Sequence, residues 1–291
     1  MEQSNITDII INTINSIFEK ILSSIDNNLY SVLDDMTFIN SDILNDNYFE
    51  KIFGTSTTNG ILLIANSLLL GIIIYFAIKF FLSYYTYNPI ERPYSFILKL
   101  IIYGICMNFS YFIIEQILDI NSYITLAIRD LGNHLFGKSI CFSELINNIN
   151  SNISISGNSI DIFSLDGLLK TTLSMSLLGL VFSYSFRYIM IKIFILISPF
   201  AILSSASNQL SWFFKSWIRN LFSLLFIQII VALVLLILFS MDYSSGNLFT
   251  KFTYIGGIYA LIKANSFVKE FIGGISTNIT QNVNSFIKYK N

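Results

Sequence analysis

Apolar residues run almost unbroken through four stretches of the chain, 61–82, 97–118, 168–203 and 220–240, and thin out between them. The last, Asn220 to Ser240, reads NLFSLLFIQIIVALVLLILFS and holds no charge. A helix of that length, rising ~1.5 Å per residue, just crosses a ~30 Å hydrocarbon core. Hydrocarbon tolerates only backbone that closes its own hydrogen bonds, so the pattern predicts an all-α, polytopic transmembrane helix bundle. Phe252 to Val268 is a weaker run, interrupted by Lys263, which can snorkel. It brings the expectation to about five spans. Leu168 to Leu203 is too long for one simple crossing, at ~54 Å of helix, and Arg187, Lys192 and Pro199 interrupt it. One long kinked helix, a span plus a re-entrant piece, or two spans all fit.

The ends of the chain carry a different period. Between Ile6 and Leu33, residues such as Ile10, Ile14, Ile17 and Ile21 share one helical face opposite Asn12, Asn15, Glu19 and Asp26. Between Asn265 and Ile287, Val268, Phe271, Ile272, Ile275 and Ile279 do the same, interrupted at Gly273 and Gly274. Amphipathic helices are therefore expected at both termini, the second lying on the lipid interface or docking a cytoplasmic partner. The chain divides into an N-terminal amphipathic and acidic region (1–58), a first transmembrane hairpin (59–118), an extracytoplasmic loop (119–167), core transmembrane helices (168–268) and a C-terminal amphipathic tail (269–291).

Charge orients this layout. Apolar residues make up 54% of the chain and charged ones only 12%, about half the share of a soluble domain. Residues 1–58 hold nine acids against Lys20 and Lys51, whereas the loop 83–95 and the region around Lys215 and Arg219 are basic. Five spans with an outside N-terminus place eleven of the seventeen Lys and Arg residues on the inner side. The expectation is a multi-pass protein of the cytoplasmic membrane with its N-terminus outside and its C-terminus cytoplasmic. The first sixty residues lack a basic n-region followed by a continuous apolar run, so the first membrane helix is expected to serve as the insertion signal.

Candidate chemistry is sparse. Gly132 to Ser139 reads GNHLFGKS, a literal phosphate-loop pattern, but that motif works between a buried strand and a helix of an α/β domain, which this chain does not offer. His134 is the only histidine, and Cys106 and Cys141 have no second ligand at zinc-like spacing. No catalytic residue, metal or cofactor is expected. Thr172, Ser176, Gly179 and Ser183 form a small-residue stripe that suits close helix packing. With Asn66, Ser67, Asn108, Ser110 and Gln228, it could instead face a polar conduit. Arg187 and Lys192, with Lys215 and Arg219, read as inner-face basic anchors, a gating role being the alternative for the first two, and Pro199 as a helix break. No basic groove with interleaved aromatics supports a direct nucleic-acid site.

Between Leu168 and Ser240 the sequence RYIMIKIFILISPFAILSSA, followed by FFKSWIRN and a long apolar span, resembles the TrbL-type polytopic membrane component of conjugative type IV secretion systems, in its small form from Gram-positive mobile elements. The resemblance implies an outside N-terminus, five spans, a central outer loop and a cytoplasmic C-terminus. It also implies a non-catalytic channel or scaffold subunit, assembled in several copies in the lipid bilayer with secretion ATPases and other envelope subunits. The chain departs from the family's pattern in its short central loop and in the expected lack of an extended hydrophilic C-terminal domain. The rival reading is a stand-alone secondary transporter or small-solute channel, expected to show repeats and broken helices. An intramembrane protease would need a facing nucleophile and base, which the sequence does not offer.

Overall fold

The computed structural model describes residues 13–14, 16–17, 20, 32–54, 60–86, 93–152, 165–241 and 248–272, and among these the fold is all-α. A helical stretch at 32–37 and a 3-10 turn, Ser41–Leu44, lead into α1 (Asn47–Phe53). There follow α2 (Ile61–Thr86), α3 (Pro93–Asn108), α4 (Ser110–Phe136), α5 (Phe142–Asn152), α6 (Leu165–Ser204), α7 (Ser211–Phe239) and α8 (Leu248–Ile272).

The centre is an up-down bundle of α4, α6, α7 and α8, with α7 touching the other three. Trp217 Nε1 donates to the Phe194 carbonyl (2.9 Å) and Arg187 Nε to that of Leu224 (2.8 Å), so α6 and α7 run antiparallel. Gly257 lies against the Leu238 side chain and Asn265 Nδ2 donates to Ser183 Oγ (2.7 Å), which turns α8 back alongside the first half of α6. Gly132 lies against Leu236, while Ile117 and Asn121 share a groove with Phe222 and Leu225, so α4 runs parallel to α7 over its whole length.

α4 earns that place by its periodicity. Ser110, Ile114, Leu118, Asn121, Thr125 and Gly132 form one buried stripe, and the helix ends at Gly137, whose positive φ of 65° suits a left-handed cap. The described residues of the region expected as a polar loop, 119–167, are thus largely helical, continuing α4 to Phe136 and adding α5. On α4 Asp130 is exposed and Asp119 half-buried, away from the buried stripe, a pattern that reads as a loop when only mean polarity is weighed.

The second apolar stretch, 97–118, is not one straight crossing. It breaks at Phe109, where α3 and α4 meet at 63°. Asn108 Nδ2 bonds back to the Gly104 carbonyl (2.9 Å) one turn earlier, a local competition with the helix ladder that bends helices. α2 and α3 form a hairpin joined by a reciprocal Asn66–Asn108 amide pair (3.0 and 3.1 Å). Ala65 and Met107 seat this hairpin on Ile202 and Leu203 at the end of α6. The start of α2 and the α6–α7 turn, expected on opposite faces of the membrane, therefore pack together at one end of the bundle.

Residues 168–203 resolve into a single helix, α6, forty residues long, with Pro199 inside it. Among the described residues three helices are long and apolar enough to cross a membrane (61–83, 167–204 and 211–239), and a fourth if the bent pair α3 and α4 counts as one span. The chain is a multi-pass, membrane-embedded protein. α8, which carries Lys251, Lys263 and Asn265, falls outside that set, so a count of five is not reached. Nearly all of the expected N-terminal amphipathic helix, and the expected C-terminal one beyond Ile272, lie outside the described residues.

Candidate functional site

Residues 32–46 form a strap along the bundle, fixed at three levels. At one end Asp34 accepts hydrogen bonds from Phe142 N–H (2.8 Å), Ser143 N–H (3.2 Å) and Ser143 Oγ (3.0 Å), so its carboxylate sits on the first turn of α5 where the unpaired donors and helix dipole favour an anion. Burial nevertheless pushes this carboxyl above its usual range, against those hydrogen bonds and the nearby Arg129 charge, which pull it down. Arg129 itself donates to the Ile140 carbonyl (2.8 Å) and stacks on Phe38 at 4.4 Å.

Midway, the strap leaves its helix at Phe38 and Ile39 and so exposes backbone groups at the depth of the apolar helices. Irregular backbone persists at that depth only where protein groups or water satisfy it. Arg187 Nη1 donates to the Thr37 carbonyl (3.0 Å), and Gln228 Oε1 accepts from Ile39 N–H (3.1 Å). Arg187 has 0% exposure, and among the described residues its guanidinium contacts backbone carbonyls rather than a carboxylate. It is a structural clasp inside the bundle, not a residue reaching the interface, which corrects its reading as an inner-face anchor.

At the other end Tyr111 Oη donates to the Leu44 carbonyl (3.1 Å), and Lys192 Nζ pairs with Asp46 (3.2 Å) while lying 5.3 Å from the Phe49 and Tyr188 rings. This ion pair lowers the Asp46 carboxyl below its ordinary value, the Lys192 hydrogen bond being the largest cause. Lys192, expected as an inner anchor, thus meets a residue of the N-terminal region expected outside, so the two lie at one level of the bundle.

The small-residue stripe does not line a conduit with Gln228. Thr172 and Ser176 bond back to carbonyls of their own helix, Gly179 has open space beside it, and only Ser183 is taken up in packing, by Asn265. Gln228 faces the strap instead, and Asn66 and Asn108 face each other. Lys215 and Arg219 are exposed, and Trp212 is 64% exposed beside them. Trp217 is 4% exposed and joins α7 to α6, so it belongs to the core. Pro199 is buried near the end of α6, without ending the helix.

Sequence reasoning singled out Arg187 and Gln228 but not their targets. Asp34, Thr37, Ile39 and Asp46 lie in a stretch that scores as acidic; the available signal was the set Leu33, Ile39, Ile43, Leu44 and Phe49, all buried here. The GNHLFGKS stretch is the end of α4 and its cap, with Lys138 Nζ on Asn148 Oδ1 (3.1 Å), a helix terminus rather than a strand-to-helix phosphate loop.

The chain matches no protein-family model, no curated protein and no solved structure. The arrangement positions backbone and side chains to hold a strap across an apolar bundle. Among the described residues no group of three or more His, Cys, Asp or Glu side chains could hold a metal.

Proposed function

We infer that this chain is a non-catalytic membrane subunit of a conjugation-type secretion machine, forming or scaffolding the path by which DNA or protein crosses the cytoplasmic membrane. The observation that carries the reading is that the segment resembling TrbL-type proteins, Leu168 to Ser240, is the α6–α7 hairpin on which α2, α3, α4, α8 and the strap all pack. Energy would come from partner ATPases, and the subunit would act as a homo-oligomer with its N-terminus outside and its C-terminus cytoplasmic.

The rival, a stand-alone transporter or small-solute channel, draws on one observation, the 63° break between α3 and α4, since transporters bind substrate at interrupted helices. Tagging the C-terminus, solubilising native membranes mildly and identifying stoichiometric partners by mass spectrometry separates the two. Secretion ATPases and envelope subunits are expected. A clean homo-oligomer would overturn the secretion reading in favour of the transporter.

A further inference from the structure

We propose that α4 and α7 hold an anionic phospholipid, its headgroup phosphate on Lys215 and Arg219, a glycerol ester carbonyl on Asn121 Nδ2, and an acyl chain in the groove below. On α7 the residues 212, 215, 219, 222, 226 and 229 recur at steps of three and four and so share one helical face. Its upper part is Trp212, Lys215 and Arg219, all exposed, and neither basic residue makes a hydrogen bond or ion pair among the described residues. Its lower part, Phe222, Phe226 and Ile229, forms with Ile117 and Ile124 of α4 a nearly wholly apolar groove of about 420 Å3. Basic charge above an apolar slot is the polarity of an acidic lipid, and an arginine matches a phosphate through two parallel donors.

A third group points to the same ligand. Asn121 lines this groove, is 7% exposed, and its Nδ2 is buried without a hydrogen-bond partner. A buried amide donor left unmet is costly, so a group that can accept from it belongs in the groove. Asn121 lies beside Phe222 and Leu225, one to two turns below Arg219, where an ester carbonyl hangs beneath a headgroup bound at Arg219. The ester carbonyl accepts and does not donate, as Nδ2 requires. Glu115 does not compete for the basic pair: it acts on Tyr111, whose hydroxyl meets Leu44 on the strap side of α4.

The test uses the purified full chain in detergent, titrated with phosphatidylglycerol or phosphatidylcholine of identical acyl chains, with retained lipid counted by mass spectrometry after repurification. Two interfacial basic residues give a preference of roughly 30-fold for the anionic lipid. K215Q/R219Q should erase that preference. Asn121→Leu should weaken retention several-fold for ester-linked phosphatidylglycerol yet leave the ether-linked analogue unchanged. Should a variant fail to fold, wild-type protein still decides, because the ether-linked lipid must bind several-fold more weakly than the ester-linked one. Equal retention of the two headgroups, a preference that survives K215Q/R219Q, equal binding of ester and ether lipids, or thermal stabilisation by inorganic phosphate matching that by phosphatidylglycerol would each overturn the proposal.

Discussion

Replacing Arg187 by Met should free the strap while leaving the bundle folded. The substitution removes two charge-assisted hydrogen bonds, to Thr37 and Leu224. Such bonds contribute roughly 1.5–3 kcal/mol each. The Leu224 carbonyl lies mid-helix, where the ladder already supplies it with an N–H, so its loss is the smaller one. Against the loss stands relief from burying a cation, which costs about 2.5–3.5 kcal/mol on insertion scales. For the bundle these nearly cancel, and its melting temperature should move little. For the strap only the loss counts, because Met cannot bond the Thr37 carbonyl. A loss of roughly 1.5–3 kcal/mol raises the open fraction about 10- to 150-fold. Hydrogen exchange at the Ile39 amide, whose N–H meets Gln228, reads that opening directly, with amides of α7 as the internal standard. Unchanged exchange at Ile39 would refute the clasp. Equal acceleration at Ile39 and throughout α7 would show instead that Arg187 holds the whole bundle.

Other perturbations probe the remaining contacts. Asp34 carries a raised carboxyl pKa, so its contribution to stability is full below the ordinary value near 3.8 and is lost as pH rises through the higher folded value. Thermal melts should therefore show wild type gaining on Asp34→Asn as pH falls from neutral toward 4, and a gap that shrinks on acidification would contradict the burial of this group. Between Asn66 and Asn108, a double-mutant cycle with leucine should give a coupling of roughly 0.6–2 kcal/mol, the range for hydrogen bonds between membrane helices. Strict additivity would mean that the reciprocal pair contributes nothing to the hairpin.

The sequence carried the helical class and the membrane setting because both follow from uninterrupted apolar runs, as in α2 and α7. It did not carry the role of α4, whose buried stripe includes Ser110, Asn121, Thr125 and Gly132. Those residues look polar to any average, yet the one face they share is what packs on α7. Arg187 was legible as costly, since a cation inside an apolar run needs an explanation, but its answer lies 150 residues away in Thr37. Long-range pairing of a side chain with a backbone carbonyl leaves no local period to read. The stripe from Thr172 to Ser183 shows the converse: its spacing is regular, yet only Ser183 finds a partner across the bundle.

Where positive charge and packing disagree, a labelling experiment can decide. The charge distribution puts residues 1–58 outside and the α6–α7 turn inside, and the positive-inside bias is a statement about insertion, made before tertiary contacts form. Packing puts Ala65 and Leu69 of α2 on Ile202 and Leu203, and Asp46 on Lys192, so the chain just before α2 and the turn after α6 share one end of the bundle. For both to hold, the strap must carry the chain from the outer to the inner end before α2 begins. The contacts of Met36 on Ser185, Thr37 on Arg187 and Asp46 on Lys192 advance in that direction along the middle of α6. With Cys106 and Cys141 replaced, cysteines introduced at Lys51 and Asn208 should react with a membrane-impermeant maleimide from the same side. Reaction from opposite sides would mean that α2 crosses the bilayer as the charges alone direct, and that the strap does not traverse it.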